Sequence, residues 1–224
     1  MIAEKRIIAS GMAIGLSLGM LCGCSSVQKA VKMVMENVSQ EETETESRDL
    51  GEFESIDISI AVGGINLEQG DSWHLDISRT ENCQITSDIT AGTLKIGQEI
   101  LDDEGGSATI TVTVPKDTSL KIASIGLDVG DFSAGKLCVK ELTVKQATGD
   151  CRINSCVVDT IDVKCNVGDV NISGNGSIED TACSLSTDVG AIIVNDEEEE
   201  SPYSKDGGAK SIAVEVSVGD ITIE

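Results

Sequence analysis

Four aspartates, Asp131, Asp150, Asp169 and Asp220, each stand directly after a glycine, at Gly130, Gly149, Gly168 and Gly219. Gly130, Gly149 and Gly168 are 19 residues apart, Gly190 follows after 22 more, and Gly219 after a further 29. Carboxylates recurring at so constant an interval line up about 5 Å apart if successive intervals stack as strands. A row of hard oxygen ligands suits Ca²⁺, and negative charges at that spacing repel unless a cation, solvent or hydrogen bonds relieve them. Two observations argue against a metal: Ala191 replaces the acid after Gly190, and the nine-residue calcium-binding repeat is absent. Each aspartate is therefore read as bonding the backbone of its own corner in an Asx-type turn. No metal and no cofactor is assigned.

Other reactive residues are sparse. His74 is the single histidine and lies beside Trp73 in a segment with strand character, so it reads as a strand residue rather than a general base. Setting aside Cys22 and Cys24, the cysteines are Cys83, Cys138, Cys151, Cys156, Cys165 and Cys183, with no Cys-x-x-Cys pair for zinc or thiol redox chemistry. Cys151 and Cys165 occupy apolar slots of the repeat and read as small core residues. Cys138 and Cys156, 18 residues apart, would lie on neighbouring coils within bridging range, so a disulfide or two free thiols are both open. The repeat glycines precede no lysine or helix start, which excludes a phosphate-cradling loop. The run Asp196-Glu197-Glu198-Glu199-Glu200 reads as a solvated loop inserted before the last repeat, with a contact loop for a basic partner or divalent ion as the other reading. No catalytic residue is assigned, and the chain is read as not an enzyme.

The elements that position the aspartates are strands. The phrase apolar-x-apolar-x-apolar-Gly-Asp-apolar-x-apolar is cleanest at Val163-Lys164-Cys165-Asn166-Val167-Gly168-Asp169-Val170-Asn171-Ile172. It recurs around Gly63, Gly130, Gly149, Gly190 and Gly219, weakest at Gly149 where Gln146 and Thr148 take apolar slots. Alternation within the phrase predicts half-buried strands, with core residues at −5, −3, −1, +2 and +4 from each glycine. Ile56 to Val62, Trp73 to Ile77, Leu94 to Ile96 and Ala108 to Val114 carry the same alternation ahead of the repeats. Aromatic residues make up 2% of the chain, which favours a thin core between narrow stacked strands. The fold class is all-β: a parallel β-helix or solenoid with coils of about twenty residues explains the constant period. An antiparallel β-sandwich or meander remains the alternative, because Gly-Asp is also a two-residue hairpin turn.

The first residues read as an export signal. Lys5 and Arg6 form a basic region, Ile7 to Met20 an apolar one too short to span a bilayer, and Leu21-Cys22-Gly23-Cys24 resembles the lipobox of bacterial lipoproteins. The domain organisation expected is a signal peptide at 1–23, an acidic tether at 24–50 and a repeat domain at 51–224. Cys24 is the residue lipidated, and a two-chain acyl anchor holds a protein stably on a membrane. Within the tether Val27, Ala30, Val31, Val34 and Val38 fall at helical spacing, compatible with one short amphipathic helix or a linker of partial helicity. The formal charge is −23, and loss of residues 1–23 (two bases, one acid) brings it to about −24. Such a chain does not bind nucleic acid and is repelled by anionic lipid apart from its anchor.

Residues 53–224 resemble the bacterial putative-adhesin domain of unknown function, a β-strand repeat family. The resemblance rests on the Gly-Asp phrase, on Gly64-Ile65-Asn66-Leu67 and on Ile110-Thr111-Val112-Thr113-Val114-Pro115-Lys116-Asp117. It implies a right-handed β-helical or solenoid fold at a bacterial surface, without enzymatic activity. The expected role is a cell-envelope lipoprotein that binds an envelope or extracellular protein or glycan through an extended repeat face; an envelope scaffold or stress-regulatory component is the alternative. A carbohydrate-active β-helix enzyme would need carboxylates converging in a groove. Because Ile223-Glu224 directly follows a repeat phrase, the last coil is expected to leave an open edge, covered by the acidic insert, by its own charges or by self-association.

Overall fold

A computed structural model of the protein describes residues 43–101, 105–175 and 180–224. The expected signal peptide, Cys24 and tether residues 24–42 lie outside the described residues. Strands β1 (Thr43–Asp49), β2 (Ser55–Gly70), β3 (His74–Thr80), β4 (Cys83–Thr90), β5 (Thr93–Ile100) and β6 (Ala108–Pro115) build one end. The middle holds β7 (Ser119–Val129), β8 (Phe132–Gly135), β9 (Cys138–Thr148), β10 (Cys151–Asn154), β11 (Val157–Val167) and β12 (Val170–Ser173), three repeats of a long strand followed by a short one. The other end comprises β13 (Thr181–Val189), β14 (Ile192–Val194), β15 (Glu197–Glu199), β16 (Tyr203–Lys205), β17 (Lys210–Val218) and β18 (Ile221–Ile223).

Each long and short strand pair forms one coil, turning at the glycine. Coils stack in parallel and in register, so that Val163 of β11 faces Val144 of β9 and Val214 of β17. The hairpin reading is thereby excluded, since the strands flanking a repeat glycine lie in different sheets, one of long strands and one of short. Period-2 alternation sends every second side chain into the space between the sheets. In the coil at 157–173 these are Val158, Ile161, Val163, Cys165, Val170 and Ile172, all at most 2% exposed. Burial of a Val or Ile stabilises by roughly 1.5–3 kcal/mol relative to exposure, and the repeat supplies several per coil. A narrow core accepts few rings: Phe132 is buried within it, and Phe53, also buried, packs tilted at 57° against Trp73 with ring centroids 4.2 Å apart near the first end.

The spatial order of coils differs from the chain order at both ends. The β5/β6 coil lies outside β2, which pairs with β5 and β7 in one sheet and β6 and β8 in the other. At the far end, the C-terminal β17/β18 coil inserts between the β11/β12 coil and the β13/β14 coil. The expectation of an open edge at the last coil is therefore corrected: that coil is internal, and with it goes the physical ground for self-association there. The acidic insert covers the true end. Strand β15 pairs antiparallel with β14, and β16 with β13. The first end is closed in the same way, by β4 on β5, by β3 on β6 and by β1 on β3. Antiparallel strands bearing charge end a stack without offering a template for further pairing.

Two further expectations need correction. The boundary at residue 51 falls too late, because Thr43–Asp49 of the tether forms the exposed edge strand β1, held by backbone pairing to β3 and by the Arg79–Glu44 ion pair. The −1 slot is not core: Val62, Val129, Val167, Val189 and Val218 are 37–62% exposed, because the chain turns the corner before that side chain reaches the interior.

Candidate glycine corner and polar face

The repeat glycines stack directly on one another. Their φ angles, from 124° at Gly149 to 150° at Gly190, lie where an L side chain is strained. Space makes the same demand: a Cβ at Gly168 would lie 1.9 Å from the Gly149 carbonyl oxygen, and one at Gly130 would lie 1.5 Å from that of Gly63. The close stack is sealed by hydrogen bonds from coil to coil, Gly149 N–H to Val167 O and Gly168 N–H to Val218 O, both 2.9 Å. Some carbonyls of the row also take a bond from a side chain in the −3 slot: Thr187 Oγ1 donates to Gly219 O at 2.9 Å and Gln146 Nε2 to Gly130 O at 2.6 Å. The other amide atom of Gln146, Oε1, is buried without a hydrogen-bond partner.

The aspartates after the glycines do not bond their own corners. Asp131 Oδ1 accepts the Asp150 N–H at 2.9 Å, Asp150 Oδ1 the Asp169 N–H at 3.1 Å, Asp169 Oδ1 the Asp220 N–H at 2.9 Å, and Asp220 Oδ1 the Ala191 N–H at 2.8 Å. The expected Asx turn is thus corrected to an inter-coil ladder, in which each carboxylate is charge-assisted by the next coil's backbone. Ala191 ends the row because its coil is the outermost and has no further coil to receive. The ladder relieves the repulsion through backbone donors. Among the described residues, no group of three or more His, Cys, Asp or Glu side chains is placed to hold a metal.

Beyond the aspartates the outer face of the short-strand sheet is polar. A groove of about 390 Å³ runs over Asp150, Arg152, Asn154, Asp169, Asn171 and Asp220. Arg152 Nη2 pairs with Asp150 Oδ2 at 2.6 Å. A neighbouring depression of about 240 Å³ continues the face over Asn66, Thr111 and Ser133, where Ser133 Oγ donates to Asn66 Oδ1 at 2.7 Å. On the other side of the glycines run the exposed −1 residues, paired in register as Val62, Val129, Thr148, Val167, Val218 and Val189. The corner therefore presents three parallel rows: valine, glycine and aspartate. Sequence reasoning found the last two; it missed Arg152, Asn154 and Asn171, although the polar positions between apolar slots in each phrase carried that signal.

The remaining candidates lie elsewhere. His74 sits in the first cap, its Nδ1 2.9 Å from Asp49 Oδ1 and its Nε2 2.8 Å from Ser47 Oγ. Cys138 and Cys156 are free thiols: Cys138 Sγ, half-buried, meets Ser119 Oγ at 3.4 Å, whereas Cys156 is buried with Sγ 3.5 Å from Asn154 O. Their side chains leave on different faces, which is why coil spacing alone does not bring them together. Burial raises the thiols of Cys151, Cys156, Cys165 and Cys183 above the ordinary range, as expected of inert core residues.

The family model described as Toastrack DUF4097 matches residues 53–224. Among solved structures, a "putative cell adhesion protein" of Clostridium sporogenes aligns with a TM-score of 0.58 at 14% identity, over 81% of this chain and 99% of its own. "Putative adhesins" of Bacteroides fragilis (TM-score 0.36, 16% identity, 83% and 98% covered) and Parabacteroides merdae (0.32, 14%, 83% and 97%) also align. The first of these supports the fold; no curated protein matches the chain.

Proposed function

The chain belongs to the Toastrack DUF4097 family, and on that footing we propose that it is a non-enzymatic lipoprotein of the bacterial cell envelope whose solenoid is a binding module. Cys24 carries the acyl anchor, and the body stands off the membrane because the charge of about −24 left after loss of residues 1–23 is repelled by anionic headgroups. The contact surface is the glycine corner with the adjoining polar face, used against another envelope component or an external surface. The observation that carries this reading is the continuity of the rows. Side chains of one type recur coil after coil in register, so a partner meets the same chemistry at about 4.8 Å intervals along the stack. The names of the structural relatives agree with adhesion, and repeat stacks commonly serve as extended binding faces.

Two measurements test the proposal. Cys24→Ala in the full precursor is expected to abolish labelling by a tagged fatty acid and to move the protein from the membrane fraction to the soluble one. The combined change Arg152→Ala, Asn154→Ala and Asn171→Ala is expected to reduce retention of the intact lipoprotein on native envelope material while leaving its thermal midpoint unchanged. Retention equal to that of the unaltered protein overturns the assignment of this face.

A further inference from the structure

The valine row has no role in the core, yet five coils keep it. Val129, Val167, Val189 and Val218 are 45–62% exposed and stack in register with Val62 and Thr148. Five spacings of about 4.8 Å make an apolar ridge about 24 Å long. Acids line one of its banks and stand at two places on the other. The aspartate ladder runs along one side, two residues on from Val129, Thr148, Val167 and Val218, and exposed Asp128 and Asp188 precede Val129 and Val189 on the other. A long apolar stripe in a strongly acidic field recognises its complement.

We propose that the corner docks a cationic amphipathic helix, with an apolar stripe seated on the valine ridge and lysines or arginines reaching the aspartate ladder. The proposal rests on the binding-module reading above and names the class of partner. Charge selects this occupant from the alternatives. A second copy would bring one aspartate ladder against another, and an anionic lipid surface would meet the same repulsion. The ladder keeps one carboxylate oxygen of each aspartate on the neighbouring backbone N–H and leaves the other available; in Asp150 it is shared with Arg152. A helix rises 1.5 Å per residue, so about 16 residues cover the ridge, and its turns of 5.4 Å approach the coil spacing. Such a helix offers side chains of one kind at nearly the interval at which the ridge presents valines.

The test uses the full lipoprotein in nanodiscs of zwitterionic lipid, with empty nanodiscs as the blank. The probe is a 16-residue Leu/Lys peptide patterned as an amphipathic helix, and the comparison peptide is a scrambled sequence of identical composition. Thr148 already occupies the row, so Val129→Thr, Val167→Thr and Val218→Thr together keep β-branching and volume while removing apolar contact. This variant is expected to bind the patterned peptide about ten-fold more weakly. Asp131→Asn, Asp169→Asn and Asp220→Asn together keep the ladder's acceptor oxygens but not its charge, and are expected to weaken binding similarly at low salt and much less at 0.5 M. Removal of equal charge near the opposite corner, by Asp117→Asn, Glu141→Gln and Asp159→Asn, all exposed, is expected to have little effect. Equal binding of patterned and scrambled peptides, or binding unchanged by the valine variant, overturns the proposal in favour of unspecific charge attraction. Concentration-dependent dimerisation abolished by the valine variant overturns it in favour of a second copy. Loss of peptide binding in the ridge variants with unchanged envelope retention overturns the function reading alone. Reduced retention with unchanged peptide binding overturns only the partner class.

Discussion

The two corners that close each coil solve the same geometric problem with opposite strictness. At the glycine corner, φ lies between 124° and 150° and neighbouring backbones touch, so that a single methyl group would overlap the next carbonyl. At the opposite corner Lys136 and Ser155 hold φ of 59° and 53°, a left-handed region open to ordinary residues at modest cost. Gly174 takes the same place in its coil with φ of 68°. Both corners pass hydrogen bonds from coil to coil, as in Gly168 N–H to Val218 O and Ser155 N–H to Ser173 O. The difference is one of contact distance. Close stacking permits only glycine and so writes a visible repeat, whereas a looser corner accepts lysine, serine or glycine and leaves no mark.

The largest effect that separates them is expected from Gly168→Ala. A Cβ 1.9 Å from the Gly149 oxygen and a φ of 144° together should lower stability by about 3–5 kcal/mol, read from the urea midpoint of the intact chain. Ser155→Gly at the other corner should change it by less than about 1 kcal/mol. Comparable losses from the two substitutions would erase the distinction.

The ladder beside the glycines gives the next largest effect. Asp169→Ala removes the acceptor of the Asp220 N–H and should cost about 1 kcal/mol in thermal or chemical denaturation, while Asp169→Asn, which keeps the oxygen, should be nearly neutral. An Asn variant as damaging as Ala would mean that charge rather than the bond sustains the ladder. Gln146→Leu tests the inner side of the same corner. Its Oε1 is buried and unpaired, and Leu127 fills the equivalent slot one coil earlier, so the change should raise stability by up to about 1 kcal/mol.

The smallest expected effect concerns the first cap, far from both corners. A hydrogen bond donated to Asp49, aided by the charge of Asp76, raises the His74 pKa above its ordinary 6.5. A raised folded-state value means that the stabilisation is fully present below about pH 6.5 and is lost as pH rises through the folded value. Amide exchange of β1 should therefore be slower, relative to the core strands, at pH 5.5 than at pH 8.5 after correction for the intrinsic rate. His74→Gln should remove that difference.

Much of the corner could be read in advance because its requirements are local in the chain. Gly168 needs its φ and Val163, Cys165, Val170 and Ile172 need the interior, and each demand falls on a residue type at a set distance from the glycine. The sidedness of Val167 could not be read the same way. Alternation places it inward, and it faces solvent because the turn at Gly168 begins before the pattern completes. Nor could the acceptor of the Asp220 N–H be identified from local spacing, since Asp169 lies 51 residues away and becomes its neighbour through coil order.

The repeated phrase was enough to specify a stack of parallel coils with a thin aliphatic core and one glycine corner, because steric limits on φ and a period-2 burial pattern act within a few residues. Which coil lies beside which was settled by packing across the whole chain: β17 and β18 fit between coils that precede them, and the acidic insert closes the end they would otherwise have left. Identical slots fit equally well at several places in such a stack, so local preference cannot rank the alternatives. Only the complete arrangement pairs every strand, leaves charged antiparallel edges at both ends and brings the valines and aspartates of distant segments into continuous rows.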